Sequence, residues 1–150
     1  MTVMSTGTVV LREVVDDDLP IFYEDQADPV AYTMADFKSR DREAFMAHWA
    51  RIRAAEQTWI RTIEVDGNVV GHVMCFPRDG VQEVGYWIGR GYWGRGYASE
   101  AVAQFLPMIP IRPLYAGLAR SNLGSRRVLE KAGFQTIRED AGDLLMKLEQ

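Results

Sequence analysis

Three strand-like runs in the middle of the chain constrain its fold more than any other feature. Residues 58–65 and 69–76 are rich in β-branched and aromatic side chains, and the tripeptide Asp66-Gly67-Asn68 that joins them is a strong hairpin signal. A third run at residues 82–88 continues the same pattern. The sequence therefore predicts an antiparallel meander of three strands.

Helical and strand-like segments flank this meander on both sides. The predicted elements, in chain order, are a strand at 9–14, a helix after the three aspartates at 16–18, a helix capped by Ser39, the strands at 58–65, 69–76 and 82–88, a helix after a glycine-rich turn, a strand at 114–119, a helix at 121–132, and short strands around 134–137 and 144–148. This order predicts an α/β fold with one mixed, mostly antiparallel sheet and helices on both of its faces.

Composition restricts the class of protein. The 150 residues, of which 47% are hydrophobic and 25% charged, match a single globular domain over residues 1–150. The formal net charge of −4 argues against nucleic-acid binding. One cysteine excludes an internal disulfide, and neither a signal-peptide pattern nor a long apolar run is present. We therefore expect a cytoplasmic protein with no membrane span.

The two histidines and the cysteine do not suggest a metal or a catalytic triad. His72 and Cys75 are three residues apart on a predicted strand, so their side chains point to opposite faces of the sheet. His48 lies on the apolar stripe of its predicted helix, beside Phe45 and Trp49, and is interpreted as a packed residue. The sequence therefore predicts no metal site.

The stretch IGRGYWGRGYA contains the spacing G-x-G-x-x-G at Gly89, Gly91 and Gly94. Exposed backbone N–H groups in such a turn, followed by a helix, suit a phosphate. A dinucleotide site is disfavoured, because the turn comes past mid-chain and no carboxylate lies between Glu100 and Glu130. The turn also lacks the Gly-Lys-Ser/Thr of a nucleoside-triphosphate loop. It therefore predicts phosphate binding of another kind.

Three segments together resemble a known family. Residues 83–88 (EVGYWI), 93–98 (WGRGYA) and 122–134 (NLGSRRVLEKAGF) are similar to the GCN5-related N-acetyltransferases, GNAT, and to their ribosomal-protein N-terminal acetyltransferase branch, the RimJ and RimL type. The resemblance implies the GNAT fold, acetyl-coenzyme A (acetyl-CoA) as co-substrate, and transfer of its acetyl group to a primary amine. The acceptor is either a peptide N-terminus or a small amine. The resemblance leaves open whether the protein forms a homodimer. A non-catalytic acyl-CoA sensor is the alternative.

By this resemblance the glycine turn holds the pyrophosphate of the coenzyme through backbone amides. Trp93 stands where the family motif has Gln or Arg, which removes a side-chain hydrogen bond from that position. The residues that the resemblance assigns to the cofactor site are Tyr86, Trp87, Ile88, Arg90, Trp93, Gly94, Arg95, Gly96, Tyr97, Ala98, Asn122, Ser125 and Arg127.

The resemblance also assigns two catalytic residues. Glu83 occupies the position of a family glutamate that acts as base, and the alternative is a strand residue paired with a neighbouring cation. Leu129 stands where many relatives carry a proton-donating tyrosine, so Ser125 becomes the substitute donor, unless it only caps its helix. The acceptor pocket is expected in residues 25–37.

Overall fold

The computed structural model describes residues 7–35 and 38–150, which form one sheet and the helices that cover it. Its strands are β1 (Val9–Arg12), β2 (Trp59–Val65), β3 (Asn68–Arg78), β4 (Val81–Ile88), β5 (Leu114–Ala119), β6 (Gln135–Glu139) and β7 (Asp143–Leu148). Its α-helices are α1 (Leu19–Ala27), α2 (Pro29–Met34), α3 (Arg42–Ala54), α4 (Tyr97–Phe105) and α5 (Leu123–Lys131). No helix in this part of the chain is long and apolar enough to cross a membrane.

The strands lie in the order β1-β2-β3-β4-β5-β7-β6. All neighbours are antiparallel except β4 and β5, which are parallel. The predicted mixed, mostly antiparallel sheet is therefore confirmed. The predicted hairpin turn is confirmed as well, because Val65 pairs with Asn68 and both Asp66 (φ 51°) and Gly67 (φ 80°) between them are left-handed.

Each face of the sheet buries its own apolar cluster. On one face, α4 and α5 cover strand residues from the centre of the sheet; the α4 contribution consists of Ala101, Val102 and Phe105, all fully buried. On the other face, α1 and α3 contribute Phe22, Phe45 and Trp49. The helices therefore lie on both faces, as predicted.

His72 and Cys75 lie on opposite faces of β3, as the strand period predicts. Cys75 belongs to the cluster under α4. The His72 ring packs between Phe22 and Trp49, with centroid distances of 4.8 and 4.9 Å. Burial lowers the pKa of His72 to about 3, so its ring is neutral at physiological pH.

Two helix boundaries and one helix differ from the sequence prediction. The cap of α3 is Asp41, whose carboxylate accepts from Ala44 N at 2.8 Å, whereas Ser39 donates to Gln26 instead. The helix predicted at 121–132 begins at Leu123, since Asn122 caps it. The short helix α2 was not predicted. Asp28 caps this helix, and Pro29 is its first residue, a position that proline favours.

A buried carboxylate ties the first strand to the first helix. Asp18 is 2% exposed and accepts both terminal nitrogens of Arg12 at 2.9 Å, Val15 N at 3.0 Å and Thr62 Oγ1 at 2.7 Å. Burial alone would raise the pKa of Asp18, but these hydrogen bonds, led by that from Arg12, hold it below its usual range. Because this network draws the chain away from the sheet, β1 ends at Arg12 rather than at residue 14.

We expect Asp18→Asn to destabilise the fold by about 3 kcal/mol, since it leaves the guanidinium and the backbone donors without their charged acceptor. The exposed neighbour Asp17 supplies the control, Asp17→Asn, which should leave stability nearly unchanged. The folded-state pKa of Asp18 is depressed, so its stabilisation is complete above the ordinary carboxyl range and disappears as pH falls through it. Urea unfolding of both variants at neutral and acid pH measures this, and equal losses in both would contradict the assignment.

Candidate active site

The sheet opens between its two central parallel strands. β4 and β5 pair at one register position, Glu83 opposite Tyr115. Beyond it the strands diverge, while β4 keeps its pairing with β3 along its other edge up to Ile88. The β5 side of residues 86–88 therefore borders a cavity instead of a neighbouring strand.

The cavity has a volume of about 380 Å³, within the range of small-molecule sites. Four parts of the chain line it: the end of β4, the glycine turn with the start of α4, the start of α5, and α2. The lining residues are Tyr86, Trp87, Ile88, Tyr92, Trp93, Gly94, Gly96, Tyr97, Ala98, Ser99, Asn122, Gly124, Ser125, Val128, Ala31, Met34 and Ala35. Ten of the thirteen residues that the sequence assigned to the cofactor are among them.

The glycine turn presents an uncapped helix start to the cavity. Gly94 (φ 77°) and Gly96 (φ 79°) are both left-handed, and a Cβ added to either would meet no atom within 4 Å. Gly96 precedes α4, and no side chain caps this helix. The first N–H groups of α4 and the positive end of its dipole are therefore directed to a space that an anionic group can fill.

Trp93 holds the turn against the end of β4. Its indole Nε1 donates to the carbonyl of Ile88 at 2.8 Å. Ile88 ends the strand at the opening of the sheet. The tryptophan therefore replaces the side-chain contact expected from Gln or Arg with a bond inside the protein, and its ring forms part of the cavity wall.

Two side chains from different elements meet at the cavity floor. Tyr86 Oη, from β4, donates to Ser125 Oγ, in the first turn of α5, at 3.0 Å. The Asn122 side chain accepts from Ser125 N at 3.2 Å and thereby caps α5. Leu129, one turn further on, is 3% exposed and packs in the core. Ser125 and Tyr86 therefore place two hydroxyl groups together at the start of α5.

Glu83 lies where the two strands begin to diverge. Its side chain is 15% exposed, 3.7 Å from Arg78 Nε, and it accepts a hydrogen bond from the backbone of Gly117 on β5. Burial raises the pKa of Glu83 above its usual value, although Arg78 opposes the shift. Glu83 does not line the cavity itself; it and Tyr86 occupy alternating positions of β4, on opposite faces.

The three arginines assigned to the coenzyme lie outside the cavity wall. Arg90 pairs with Asp28 at 3.2 Å, while Arg95 and Arg127 are exposed. A smaller cavity of about 220 Å³ continues from Gly96 between α4 and α5, and Lys131 lines it. Lys131 is the basic residue among those that line this smaller cavity, and Glu100 lines it as well.

The sequence indicated residues 25–37 as part of the site but did not predict that a helix there, α2, forms a wall of the cavity. Ala31, Met34 and Ala35 line the cavity from this helix, inside the region 25–37 expected for the acceptor, of which Asp36 and Phe37 lie outside the described residues. No sequence signal connects a six-residue helix with a distant glycine turn, because only the tertiary fold brings them together.

Asp25 was also missed. A Cβ on Gly89 would lie 2.8 Å from Asp25 Oδ1, so a glycine is needed there for the carboxylate to approach the end of β4. Burial raises the pKa of Asp25 to about 7, and the charges of Asp28 and Glu24 contribute. This carboxylate thus titrates near neutrality at the open end of the diverging strands.

Sequence comparison identifies the family. A family model of the acetyltransferase (GNAT) domain matches residues 8–135. Because the match spans most of the chain, this protein belongs to the GNAT acetyltransferase family. No curated protein sequence matches it.

Solved acetyltransferases share the fold. The spermidine N-acetyltransferase of Vibrio cholerae, solved with CoA and spermine, gives a TM-score of 0.79 at 15% identity over 95% of both chains. The ribosomal-protein-alanine N-acetyltransferase of Brucella melitensis gives 0.78 at 20% identity over 94% of this chain and 99% of its own. Mycobacterium smegmatis RimJ, in complex with CoA-disulfide, gives 0.77 at 21% identity over 96% and 83%. At these identities the similarity establishes the fold.

We expect Gly96→Ala to weaken acetyl-CoA binding about tenfold or more, because a methyl group would project into the space from which backbone N–H groups reach a charged ligand. Gly80 is a matched control. It is left-handed (φ 83°), an added Cβ there meets no atom within 4 Å, and it lies in the turn between β3 and β4. Both variants should lose about 1 kcal/mol of stability to backbone strain. Calorimetric titration that finds the same affinity in both would show that the glycine turn does not bind the coenzyme.

Proposed function

We propose that this protein is an N-acetyltransferase that transfers the acetyl group of acetyl-CoA to a primary amine. The observation that carries the proposal is the opening between β4 and β5, which ends at an uncapped helix start behind two left-handed glycines. The cavity walls are mostly apolar side chains, which suits the thioester arm, and the turn offers backbone donors, which suit a pyrophosphate.

Backbone groups of β4 fit the role of oxyanion donors. Attack of an amine on a thioester places negative charge on the carbonyl oxygen, and fixed N–H groups stabilise that charge best. Residues 86–88 line the cavity where β5 has moved away. Trp93 fixes the end of this segment through its bond to Ile88, so the donors are held in position before a substrate arrives.

Glu83 fits the role of general base. An amine must lose a proton to attack, and a carboxylate with a raised pKa accepts that proton more readily than an ordinary one. Its pKa is raised mainly by burial, while the charge of Arg78 opposes the shift. Glu83 lies at the point where the strands separate. Because side chains alternate along a strand, its carboxylate is on the face covered by α1, opposite the face of Tyr86 and Ser125.

The acceptor would approach between α2 and β4. Ala31, Met34 and Ala35 offer it an apolar wall, and Asp25 lies close to the end of β4. These features fit an amine attached to an apolar group, either at a peptide N-terminus or in a small molecule. The structural neighbours include proteins described for both kinds of acceptor, ribosomal-protein alanine and spermidine.

Acetyl transfer is tested with purified protein, acetyl-CoA and a panel of peptides and small amines, with release of free thiol as the readout. Transfer to at least one amine supports the proposal. Saturable acetyl-CoA binding without transfer to any of them would overturn it in favour of an acyl-CoA sensor, which the buried Leu129 at the family tyrosine position favours.

With the best acceptor, we expect Glu83→Gln to lower kcat/KM by about 10²- to 10⁴-fold, the usual contribution of a general base. Because the ionised form is the base, the wild-type rate should rise with pH through a carboxyl pKa above the ordinary value, and the variant should lose this dependence. Acetyl-CoA affinity should stay constant. The exposed Glu139 provides the control Glu139→Gln. A wild-type pH profile in Glu83→Gln would assign the base elsewhere, with Asp25→Asn as the next variant to measure.

A further inference from the structure

The contact between Tyr86 and Ser125 is a hydroxyl pair built from two elements that the fold brings together. Tyr86 is on β4 and Ser125 in the first turn of α5, and their oxygens are 3.0 Å apart. Both residues line the cavity. The sequence resemblance assigned proton donation to Ser125 and cofactor binding to Tyr86, and it did not connect the two residues.

With the phenol as the donor in this contact, the serine keeps its own proton. A serine hydroxyl has one proton to donate and two lone pairs that accept. The tyrosine O–H occupies one lone pair of Ser125, and within the described part of the chain Ser125 Oγ donates to no other group. The remaining proton of Ser125 is therefore available to a ligand in the cavity.

The backbone of Ser125 is fixed as well. Asn122 accepts its N–H at 3.2 Å, so the serine cannot rotate away with the helix end. Burial raises the pKa of Tyr86, with the bond to Ser125 opposing the shift, so the phenol stays protonated at neutral pH. A neutral phenol remains a hydrogen-bond donor throughout the reaction.

We propose that Tyr86 is a positioning residue for catalysis, which holds Ser125 so that the serine hydroxyl donates a hydrogen bond to the sulfur of the departing coenzyme. The inference rests on the proposed acetyl transfer. It also explains how this chain can function with Leu129 at the position of the family tyrosine. The hydroxyl of Tyr86 reaches the start of α5 from β4 instead.

The step balances without a further reactant. Glu83 takes one proton from the ammonium, and the neutral amine nitrogen forms the C–N bond with the thioester carbonyl carbon. The nitrogen then releases its second proton to solvent. The C–S bond breaks, and its electron pair remains on sulfur. Ser125 donates a hydrogen bond to the thiolate, which is protonated to the free thiol from solvent as Glu83 returns its proton to solvent. Tyr86 gains and loses no proton.

The first test separates binding from turnover. Tyr86→Phe keeps the ring and removes the hydroxyl, and we expect kcat to fall about fivefold, the worth of one neutral hydrogen bond, with KM for acetyl-CoA unchanged. Ser125→Ala should lower kcat about tenfold or more, because it removes the donor to a developing charge. Tyr23→Phe removes a tyrosine hydroxyl from α1, where the ring packs on Phe45, and serves as the control.

The double variant shows whether Tyr86 acts through Ser125. If it does, Tyr86→Phe should cost nothing further once Ser125 is alanine, whereas independent effects would multiply. Multiplied effects, or a wild-type kcat in Tyr86→Phe, would overturn the inference. Absence of transfer by the wild-type protein would instead overturn the proposed function, so the two failures are distinguishable.

A second readout does not depend on turnover. A hydroxyl that donates to the sulfur stabilises the thiolate, so coenzyme A bound to the wild-type protein should have a lower thiol pKa than coenzyme A bound to Tyr86→Phe. Thiolate absorbance in the ultraviolet, followed against pH with the free coenzyme as reference, measures this. Equal thiol pKa values in both complexes would contradict the role of Tyr86.

Discussion

The single pairing position between β4 and β5 is the constraint on which the rest of the site depends. Parallel strands joined at Glu83 and Tyr115 alone leave the β4 edge open from Tyr86 to Ile88. A sheet interrupted in this way loses the free energy of backbone hydrogen bonds between the two strands, unless another group fills the gap and forms them instead. β3 keeps the other edge of β4 fully paired, so the opening stays rigid.

Local sequence signals predicted most of the helices and strands, whereas the end of β1 depended on tertiary contacts. The hairpin at Asp66-Gly67 follows from turn chemistry, and the helix after Gly96 follows from apolar periodicity, so both could be found from the sequence. The end of β1 could not, because it depends on Asp18 meeting Arg12 and Thr62. The short α2 has too few residues to show a helical period.

The site could be predicted where backbone chemistry or family resemblance marked it. Gly96 and Asn122, which the resemblance assigned to the coenzyme, both line the cavity. The positions of the three arginine side chains assigned to the coenzyme could not be predicted. The partner of an exposed side chain depends on the tertiary fold, as the pairing of Arg90 with Asp28 shows. The hydrogen bond from Tyr86 to Ser125 could not be predicted either, because the two residues are 39 positions apart in the sequence, on a strand and a helix.

The central claim is that the opening between β4 and β5, together with the glycine turn, binds acetyl-CoA. Hydrogen exchange of backbone amides, measured with and without acetyl-CoA, tests it most directly, because β4 pairs with β5 only at Glu83 in the described part of the chain and the ligand would border the backbone beyond it. We predict slower exchange on binding at residues 86–88 and 94–98, with β1 and α3 unchanged. Bound coenzyme that leaves exchange at these two segments unaltered would contradict the account.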